Sequence, residues 1–386
     1  MYKISFVFLL ACIATSGSYA AEWSLTGSVN PSAEYDDNIF MRDENRQGDY
    51  HFQVSPTLVA TRKQENSESS LSFGVSVDRY EASQQLDQEN PFLRFNTQLQ
   101  QERARWGLAL SYVESSSRSD AADDTGDFET NSTLTTSSIS PSFSYQLTER
   151  DTVSLNASYA EKESSTSDFS NSTNKSLSSS WQHQFSERLK GGVSLSASNN
   201  KSSSLSNSTD DNSYNLSLTS QYRFSEIWAF NGNVGLRQLD SQQTNILGVT
   251  DNSSSTGTSL GFTVSYSGEV DSANLSLSRS ISPSSTGEIN EQEKVSLSWS
   301  RELSETLSSH INASFQTTSS ALDEGADKRE NINVSPSLRW ALSPDTTLSL
   351  AYKYRQQKES NLGTRASSNA IMLTMSYDWH GFRIAR

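Results

Sequence analysis

The sequence predicts an all-β fold: a transmembrane antiparallel up-and-down β-barrel of about 18 strands, with 16 as the fallback count, short periplasmic turns and longer extracellular loops. Three observations predict it: alternating apolar and polar residues, short polar turns at regular spacing, and tryptophans at one end of the strands. Composition alone does not. Hydrophobic residues are 33% of the 386 residues, below the ~45–50% of soluble globular proteins. A disordered stalk would fit that figure, but not the 10% of aromatic residues.

The first 20 residues have the pattern of a secretory signal peptide, with Lys3 before an apolar run and small residues before Ala21. A lipoprotein signal at Leu9–Cys12 is the alternative, but it would place the cleavage site inside the apolar run. We therefore expect residues 1–20 to be a signal peptide and residues 21–386 to be a single outer-membrane β-barrel domain. Cys12 is the one cysteine, so disulfides and thiol chemistry are excluded from the exported chain.

Alternation is clearest in residues 152–162, 212–225 and 257–267, where every second residue is apolar and those between are mostly Ser, Thr, Asn or Gly. Neighbouring side chains on a strand point to opposite faces, so each segment has one apolar and one polar face. Strands of soluble proteins average ~5–6 residues, whereas strands that cross a membrane need ~9–11. The lengths of these runs therefore indicate a membrane barrel.

Short polar turns and long polar connections alternate between successive strands. The long ones include Ser115–Asn131, Asn199–Asn212 and Leu239–Thr256, which we expect to be extracellular loops. Acidic pairs in these regions, such as those at 36–37, 123–124 and 210–211, are expected to be solvated loop carboxylates. The predicted strands are 22–33, 49–61, 69–80, 92–101, 104–114, 132–147, 152–162, 174–186, 189–199, 212–225, 227–239, 257–267, 271–281, 292–303, 306–317, 330–342, 346–357 and 368–380.

Aromatic residues give an independent indication of the same topology. All seven tryptophans lie on the apolar phase beside the short turns, where an indole ring can sit at the lipid headgroup level. The tyrosines near the opposite strand ends are expected to form a second girdle: Tyr35, Tyr50, Tyr80, Tyr112, Tyr159, Tyr214 and Tyr352. The prolines at 56, 141 and 336 fall within predicted strands, on the outward phase before a short turn, and indicate β-bulges.

Both ends of the barrel carry motifs that resemble known signals. The last strand ends in Tyr377 and Trp379, an aromatic-x-aromatic pattern similar to the C-terminal signal that the barrel-assembly machinery recognises; seven further residues follow it. After the first strand, the segment EYDDNIF resembles the beta-barrel porin 2 family at Tyr35, Asp37, Asn38, Ile39 and Phe40. That resemblance covers about six residues in detail and the rest of the chain in architecture. It implies an association with exopolysaccharide synthesis and export.

Charged residues on the inward phase suggest what the lumen passes. Seven candidate cations lie on this phase, against the three acids Asp78, Glu102 and Asp378. The lumen is therefore expected to be net positive, although the formal net charge of the chain is −15. These cations either select anionic solutes by electrostatic focusing or pair with loop acids folded into the pore. The candidate lumen cations are Arg94, Arg105, Arg237, Lys294, Arg339, Lys353 and Arg355.

Two classes of function remain open. One is a porin-like aqueous channel for exopolysaccharide secretion or anionic solutes; the other is a non-conducting surface or scaffold barrel of a polysaccharide or biofilm system. No enzyme is predicted. A Gly-x-Ser-x-Gly sequence occurs at residues 257–261, but it lies inside a predicted strand and not at the strand-to-helix turn of a nucleophile elbow. Residues 123–129 lack the ligand spacing of a calcium loop, and we predict no catalytic, metal or cofactor site.

The expected location is the bacterial outer membrane, reached by Sec export, with both termini in the periplasm. The expected partners are outer-membrane lipid and lipopolysaccharide, the barrel-assembly machinery and polysaccharide export components, but no nucleic acid.

Overall fold

Eighteen strands, in chain order, make up the computed structural model, which describes residues 21–118, 126–167, 169–205, 207–285, 287–322, 328–360 and 363–385. The predicted signal peptide and the acidic pair at 123–124 lie outside these residues. The strands are β1 (Glu22–Asp36), β2 (Asp49–Lys63), β3 (Ser67–Tyr80), β4 (Gln88–Gln100), β5 (Ala104–Ser116), β6 (Thr133–Gln146), β7 (Asp151–Ser164), β8 (Asn171–Gln184), β9 (Leu189–Ser203), β10 (Asn207–Arg223), β11 (Trp228–Asn245), β12 (Thr250–Ser267), β13 (Asp271–Pro283), β14 (Ile289–Glu302), β15 (Leu307–Ser320), β16 (Arg329–Ser343), β17 (Thr346–Glu359) and β18 (Arg365–Ala385).

Every strand pairs antiparallel with its neighbours in sequence, and β1 pairs with β18 from Glu22↔Ala385 to Asp36↔Ala370. The sheet is therefore closed and has no free edge, which is the up-and-down barrel that the alternation predicts. The predicted count of 18 is confirmed, and the fallback of 16 is wrong. Within the described residues, no helix has the length and apolar character needed to cross a membrane.

The two ends of the barrel differ in their connections. At one end, called here the turn end, eight connections of two to four residues join even-numbered strands to the strands that follow them. At the other, the loop end, the connections at 37–48 and 117–132 are much longer. Short turns at one rim and long loops at the other are typical of outer-membrane barrels.

Two of the predicted long loops are largely strand. Much of Asn199–Asn212 belongs to β9 and β10, and most of Leu239–Thr256 belongs to β11 and β12. These extensions are held by continuous ladders and by cross-strand pairs such as Lys201 Nζ to Asp210 Oδ2 at 2.8 Å. Their residues are nearly all polar on both faces, so hydrophobic alternation gave no signal for them.

The barrel wall is apolar outside and polar inside. On β14, Val295 and Leu297 project outward and are exposed, while Ser296 and Ser298 alternate with them on the inner face. The same alternation continues around the sheet, with outward Leu, Val, Ile and Phe against inward Ser, Thr, Asn and Gly. The lumen is therefore lined by groups that water solvates well.

Aromatic positions follow the predicted girdles with one exception. All seven tryptophans lie on the outward phase at the turn end; six are exposed and Trp299 is partly exposed. At the loop end Tyr35 and Tyr50 are outward and in contact, with ring centroids 4.9 Å apart. Tyr80 was expected in this girdle but faces the lumen, where its ring stacks on His51 at 4.4 Å. Tyr80 faces inward because it follows the inward residue Asp78 by two positions, and residues two apart on a strand lie on the same face.

The prolines at 56, 141 and 336 do not form bulges. Pro56, Pro141 and Pro336 each have a register partner on the preceding strand, and the ladder to the following strand is interrupted beside them. In all three places the same number of residues is skipped on both strands, so no residue is inserted. Since antiparallel residues bond alternately to one neighbour and the other, a missing proline N–H interrupts one ladder only.

The last strand extends beyond the predicted assembly signal. Tyr377 and Trp379 project outward, but β18 continues through Phe382 and Ile384, which are also outward and exposed. A register shift opposite Leu25 and Gly27 moves the phase by one residue here. Gly381 makes this shift possible, because its φ is +54° and a Cβ would meet the carbonyl oxygen of Leu25.

Candidate functional site: the lumen and its loop end

The EYDDNIF motif leads the chain back into the barrel instead of out from it. Asn38 is fully buried and fastens the turn: its Nδ2 donates to the carbonyls of Arg42 at 2.7 Å and Ser367 at 2.9 Å, and its Oδ1 accepts from Arg42 N–H at 3.1 Å. Tyr35 remains outward at the interface. Ile39 and Phe40, which follow Asn38, are buried inside the barrel.

The motif's carboxylates are structural anchors. Asp36 is buried and forms an ion pair with Arg355, while Asp37 accepts hydrogen bonds from Asn369 N–H at 2.7 Å and Asn369 Nδ2 at 2.8 Å. Asp211, from another predicted loop pair, is also buried. The expectation of solvated loop carboxylates is therefore wrong for Asp36 and Asp211. Both are on the inward phase of their strands, which extend further than predicted.

Two apolar clusters narrow the lumen at the loop end, beside the connections at 37–48 and 117–132. The first consists of Ile39, Phe40 and Leu86, with Tyr80 packed against it. The second, formed by Met41, Phe128 and Ala366, joins the connections at 37–48 and 117–132 to β18. Apolar side chains gathered inside a polar barrel hold these connections inside the mouth, because exposing them to water there would be unfavourable.

Arg118 ties the two long connections together. Its Nε donates to the carbonyl of Phe128 at 2.8 Å, and its guanidinium also donates to the carbonyl of Ile39. Burial lowers the pKa of the Arg118 guanidinium. The nearby hydroxyl of Tyr80 raises this pKa and offsets part of the lowering. Nothing in the sequence singled out this residue, since its partners lie far away along the chain.

The β13–β14 hairpin narrows the lumen at the loop end from the opposite wall. The ladder between β12 and β13 ends at Leu260↔Arg279, which leaves the outer part of the β13–β14 hairpin free of β12. Its connection reaches across to other elements: Thr209 Oγ1 on β10 donates to the carbonyl of Gly287 at 2.9 Å, and Ser170 N–H donates to that of Ser285 at 3.0 Å. Two sets of connections thus enter the mouth from different sides.

The candidate lumen cations fall into two groups. Three are ion-paired: Arg237 with Glu291 at 3.0 Å, Lys353 with Glu34 at 2.6 Å, and Arg355 with Asp36. Glu291 also binds Arg279 at 2.6 Å, and the sequence gave no indication of either as a lumen residue. The Arg237 pair matches the interpretation in which lumen cations bind acids folded into the pore, whereas Glu34 and Asp36 belong to the wall strand β1.

The other four cations have no carboxylate partner among the described residues. Arg94 lies over the ring of Phe92 at 4.6 Å, Arg105 donates to Gln100 Oε1 at 2.8 Å, and Lys294 and Arg339 are exposed on the inner face. Of the predicted lumen acids, Asp78 is bonded to His51 at 2.9 Å, and Glu102 lies in the turn between β4 and β5. Asp378 is exposed on the inner face of β18 near the turn end. Among the predicted lumen charges, four unpaired cations thus stand against Glu102 and Asp378, and the surplus at the middle and turn end is positive.

A cavity of about 610 Å³ opens in the lumen beneath the 37–48 and 117–132 connections. Strands β2 to β5 form one side of it, and β16 and β17 form the other. Its lining is dominated by amides, three aromatic rings and a few charged groups. The lining includes Gln88, Asn90, Phe92, Asn331, Asn333 and Gln357.

No family model and no curated protein sequence matches this chain. Solved structures are similar to it: the ferric citrate transporter FecA (9% identity, TM-score 0.52), over 86% of this chain and 60% of FecA; the FrpB iron transporter from Neisseria meningitidis (9%, 0.53), over 92% and 82%; and OccK2 from Pseudomonas aeruginosa (10%, 0.50), over 92% and 97%. At such identities the likeness concerns the fold alone, and this chain has the fold of outer-membrane β-barrels.

Proposed function

We propose that this protein is a porin-like channel of the bacterial outer membrane that passes hydrophilic solutes. The supporting observation is the closed 18-stranded barrel with a polar inner face and an apolar outer face. Barrels of 16–18 strands are wide enough to leave an aqueous channel. Two of the similar solved structures, FecA and FrpB, are named as transporters, in keeping with this role.

The solute class that we propose is an anion or a segment of exopolysaccharide in transit. The four unpaired cations of the lumen support anion passage, because fixed charges in a low-dielectric wall raise the local concentration of counter-ions. The EYDDNIF resemblance to the beta-barrel porin 2 family supports a role beside exopolysaccharide export. Neither feature identifies a particular solute.

Ion conductance in planar bilayers tests the channel proposal. We expect purified protein inserted into a bilayer to give discrete single-channel steps in KCl. A barrel that inserts, as judged by its heat-modifiable migration on a gel, and carries no current would contradict the proposal.

The second candidate is a non-conducting surface barrel, and the narrowing of the loop end favours it. The clusters around Ile39 and Met41 and the crossing β13–β14 connection together obstruct the mouth. To separate the candidates, residues 39–46 can be replaced with a Gly-Ser segment of equal length. A channel narrowed by this loop will conduct in both forms, with larger steps in the variant; a surface barrel will be silent in its native form and gain current only on replacement.

A further inference from the structure

Another cavity, of about 300 Å³, lies in the lumen at the turn end. It is lined by inward side chains of β4 to β9 together with residues of the turns that join these strands. Four cations line it against one carboxylate, that of Glu149. All four cations are exposed, so a solute in the lumen can reach them. They are Arg103, Arg105, Arg150 and Lys190.

The strand register places no acid opposite the cations of this cavity. Directly opposite residues on neighbouring strands are the positions where cross-strand ion pairs form. Arg105 lies opposite Gln100 on one side and Ser144 on the other. Lys190 lies opposite Gln184. None of the four cations forms an ion pair with a carboxylate among the described residues.

Elsewhere in the barrel the register does bring opposite charges together. Several cations of other strands lie directly opposite a carboxylate and are bonded to it. These pairs are Lys201 with Asp210 at 2.8 Å, Arg329 with Glu359 at 2.9 Å, Lys358 with Glu330 at 3.6 Å and Arg301 with Asp271 at 3.8 Å. The unpaired charge is therefore a particular property of the wall around the turn-end cavity.

The other acids near this cavity do not neutralise it. Asp151 is on the outward phase, where it is bonded to His183 at 2.8 Å and accepts from Trp181 Nε1 at 3.2 Å. Glu102 and Glu187 lie in neighbouring turns and do not line the cavity. The surplus of positive charge therefore remains available to a ligand with negative charges.

Arg105 is oriented for such a ligand. Its Nε donates to Gln100 Oε1 at 2.8 Å, and among the described residues no acceptor meets its two terminal nitrogens. The planar donors of a guanidinium match the paired oxygens of a carboxylate or phosphate group. Gln182 and Thr152 line the same cavity and add neutral donors.

The spread of the cations over the wall indicates the size of the ligand. Arg105 is on β5 and Lys190 is on β9, which is four strands further around the barrel. Neighbouring strands lie ~4.8 Å apart, so the two positions are separated by about 19 Å along the wall. One small anion can contact only part of this set, whereas a chain with repeated acidic groups can contact several of the cations at once.

We propose that the turn-end cavity is a binding site for a linear oligoanion whose acidic groups are carboxylates or phosphates. This rests on the proposed channel function and adds a place where the solute is held. Oxygens of the ligand accept from the terminal nitrogens of Arg105 and from Lys190, while Arg103 and Arg150 bind further acidic groups beside the turns. The site takes solute from the turn end, the side expected to face the periplasm.

Calorimetric titration of the detergent-solubilised protein tests this site. The probes are trigalacturonate for carboxylates, tripolyphosphate for phosphates and maltotriose as an uncharged molecule. We expect at least one oligoanion to bind, the tighter of the two identifying the acidic group, and maltotriose not to bind. Arg105→Gln and Lys190→Gln should each weaken oligoanion binding about tenfold, because each removes a charge-assisted contact. Neither substitution breaks an ion pair, and heat-modifiable migration on a gel checks that the variants are folded.

Arg188→Gln is the matched control. Arg188 is an exposed cation in the turn before Lys190 and does not line the cavity. The variant should bind the oligoanions within about twofold of the native protein, because salt screens exposed charges outside the site.

The proposal is overturned if neither oligoanion binds, if maltotriose binds as tightly as they do, if the two cavity variants bind unchanged, or if Arg188→Gln weakens binding as much as they do. Binding uses protein in detergent and conductance uses bilayers, so failure of the channel proposal and failure of this site are seen separately.

Discussion

At the scale of single residues, Asn38 is the side chain of the EYDDNIF motif that holds the turn in place. It is fully buried, and its amide closes a turn on Arg42 and attaches that turn to Ser367 on β18. Both amide atoms are used, so no other side chain of similar size could make the same bonds. The motif is therefore explained by the geometry of the loop, without catalysis or metal binding.

We expect Asn38→Ala to destabilise the protein by about 1–3 kcal/mol, because it leaves buried carbonyl and N–H groups without partners. Urea-dependent unfolding in lipid vesicles measures this. Asn66→Ala is the matched control, since Asn66 is exposed in a turn at the opposite end, and it should change stability by less than about 0.5 kcal/mol. Equal effects of the two substitutions would refute the anchoring role.

Unpaired and paired lumen cations should differ in their effect on ion selectivity. Arg94→Gln and Arg339→Gln each remove a free positive charge, so each should shift the reversal potential in a KCl gradient toward cation preference. The double variant Arg355→Gln/Asp36→Asn removes both members of a pair and should leave the potential unchanged. A shift in the double variant as large as in the single ones would rule out this assignment of charges.

At the scale of elements, the 117–132 connection depends on one carboxylate. Burial raises the pKa of Asp127, but hydrogen bonds from the Thr130 hydroxyl and from the N–H groups of Glu129 and Thr130 outweigh it, so the pKa lies below its usual 3.8. A lowered pKa means that the charged form stabilises the folded loop above pH ~4 and that this contribution is lost as the pH falls through the folded value.

Hydrogen exchange of the 126–131 segment measures this effect. At pH 5 the native loop should exchange more slowly than that of Asp127→Asn, because only the native carboxylate is charged. As the pH falls to about 3 and below, the difference should shrink, since both side chains become neutral. A difference between the two proteins that stays constant over this range would contradict the assigned role of Asp127.

The strands were largely predictable from sequence, and the connections were not. Alternation gives the number and phase of strands because it reflects a local property, the two faces of the wall. The inward course of 37–48 instead depends on partners far along the chain, such as Asn369 for Asp37 and Arg118 for Ile39. No local pattern marks such contacts.

At the scale of the whole molecule, closure explains how a chain with so few hydrophobic residues folds. A barrel needs apolar side chains only on its outer face, because lipid covers that face and water fills the inside. The hydrophobic fraction of 33% is low for a soluble core, but it suits one apolar face and one hydrophilic face. The polar lumen is thus a requirement of the architecture as well as the basis of the proposed function.

Site-specific labelling on β14 tests this account most directly, because Cys12 is the one native cysteine and can be changed to serine. In the membrane-inserted protein, Ser296→Cys should react with a water-soluble maleimide, since residue 296 faces the lumen. Leu297→Cys, one position along the same strand, should stay unreactive in lipid and react after extraction and unfolding. Labelling of residue 297 with protection of residue 296, or equal labelling of both in the membrane, would contradict a lipid-embedded barrel with a water-filled lumen.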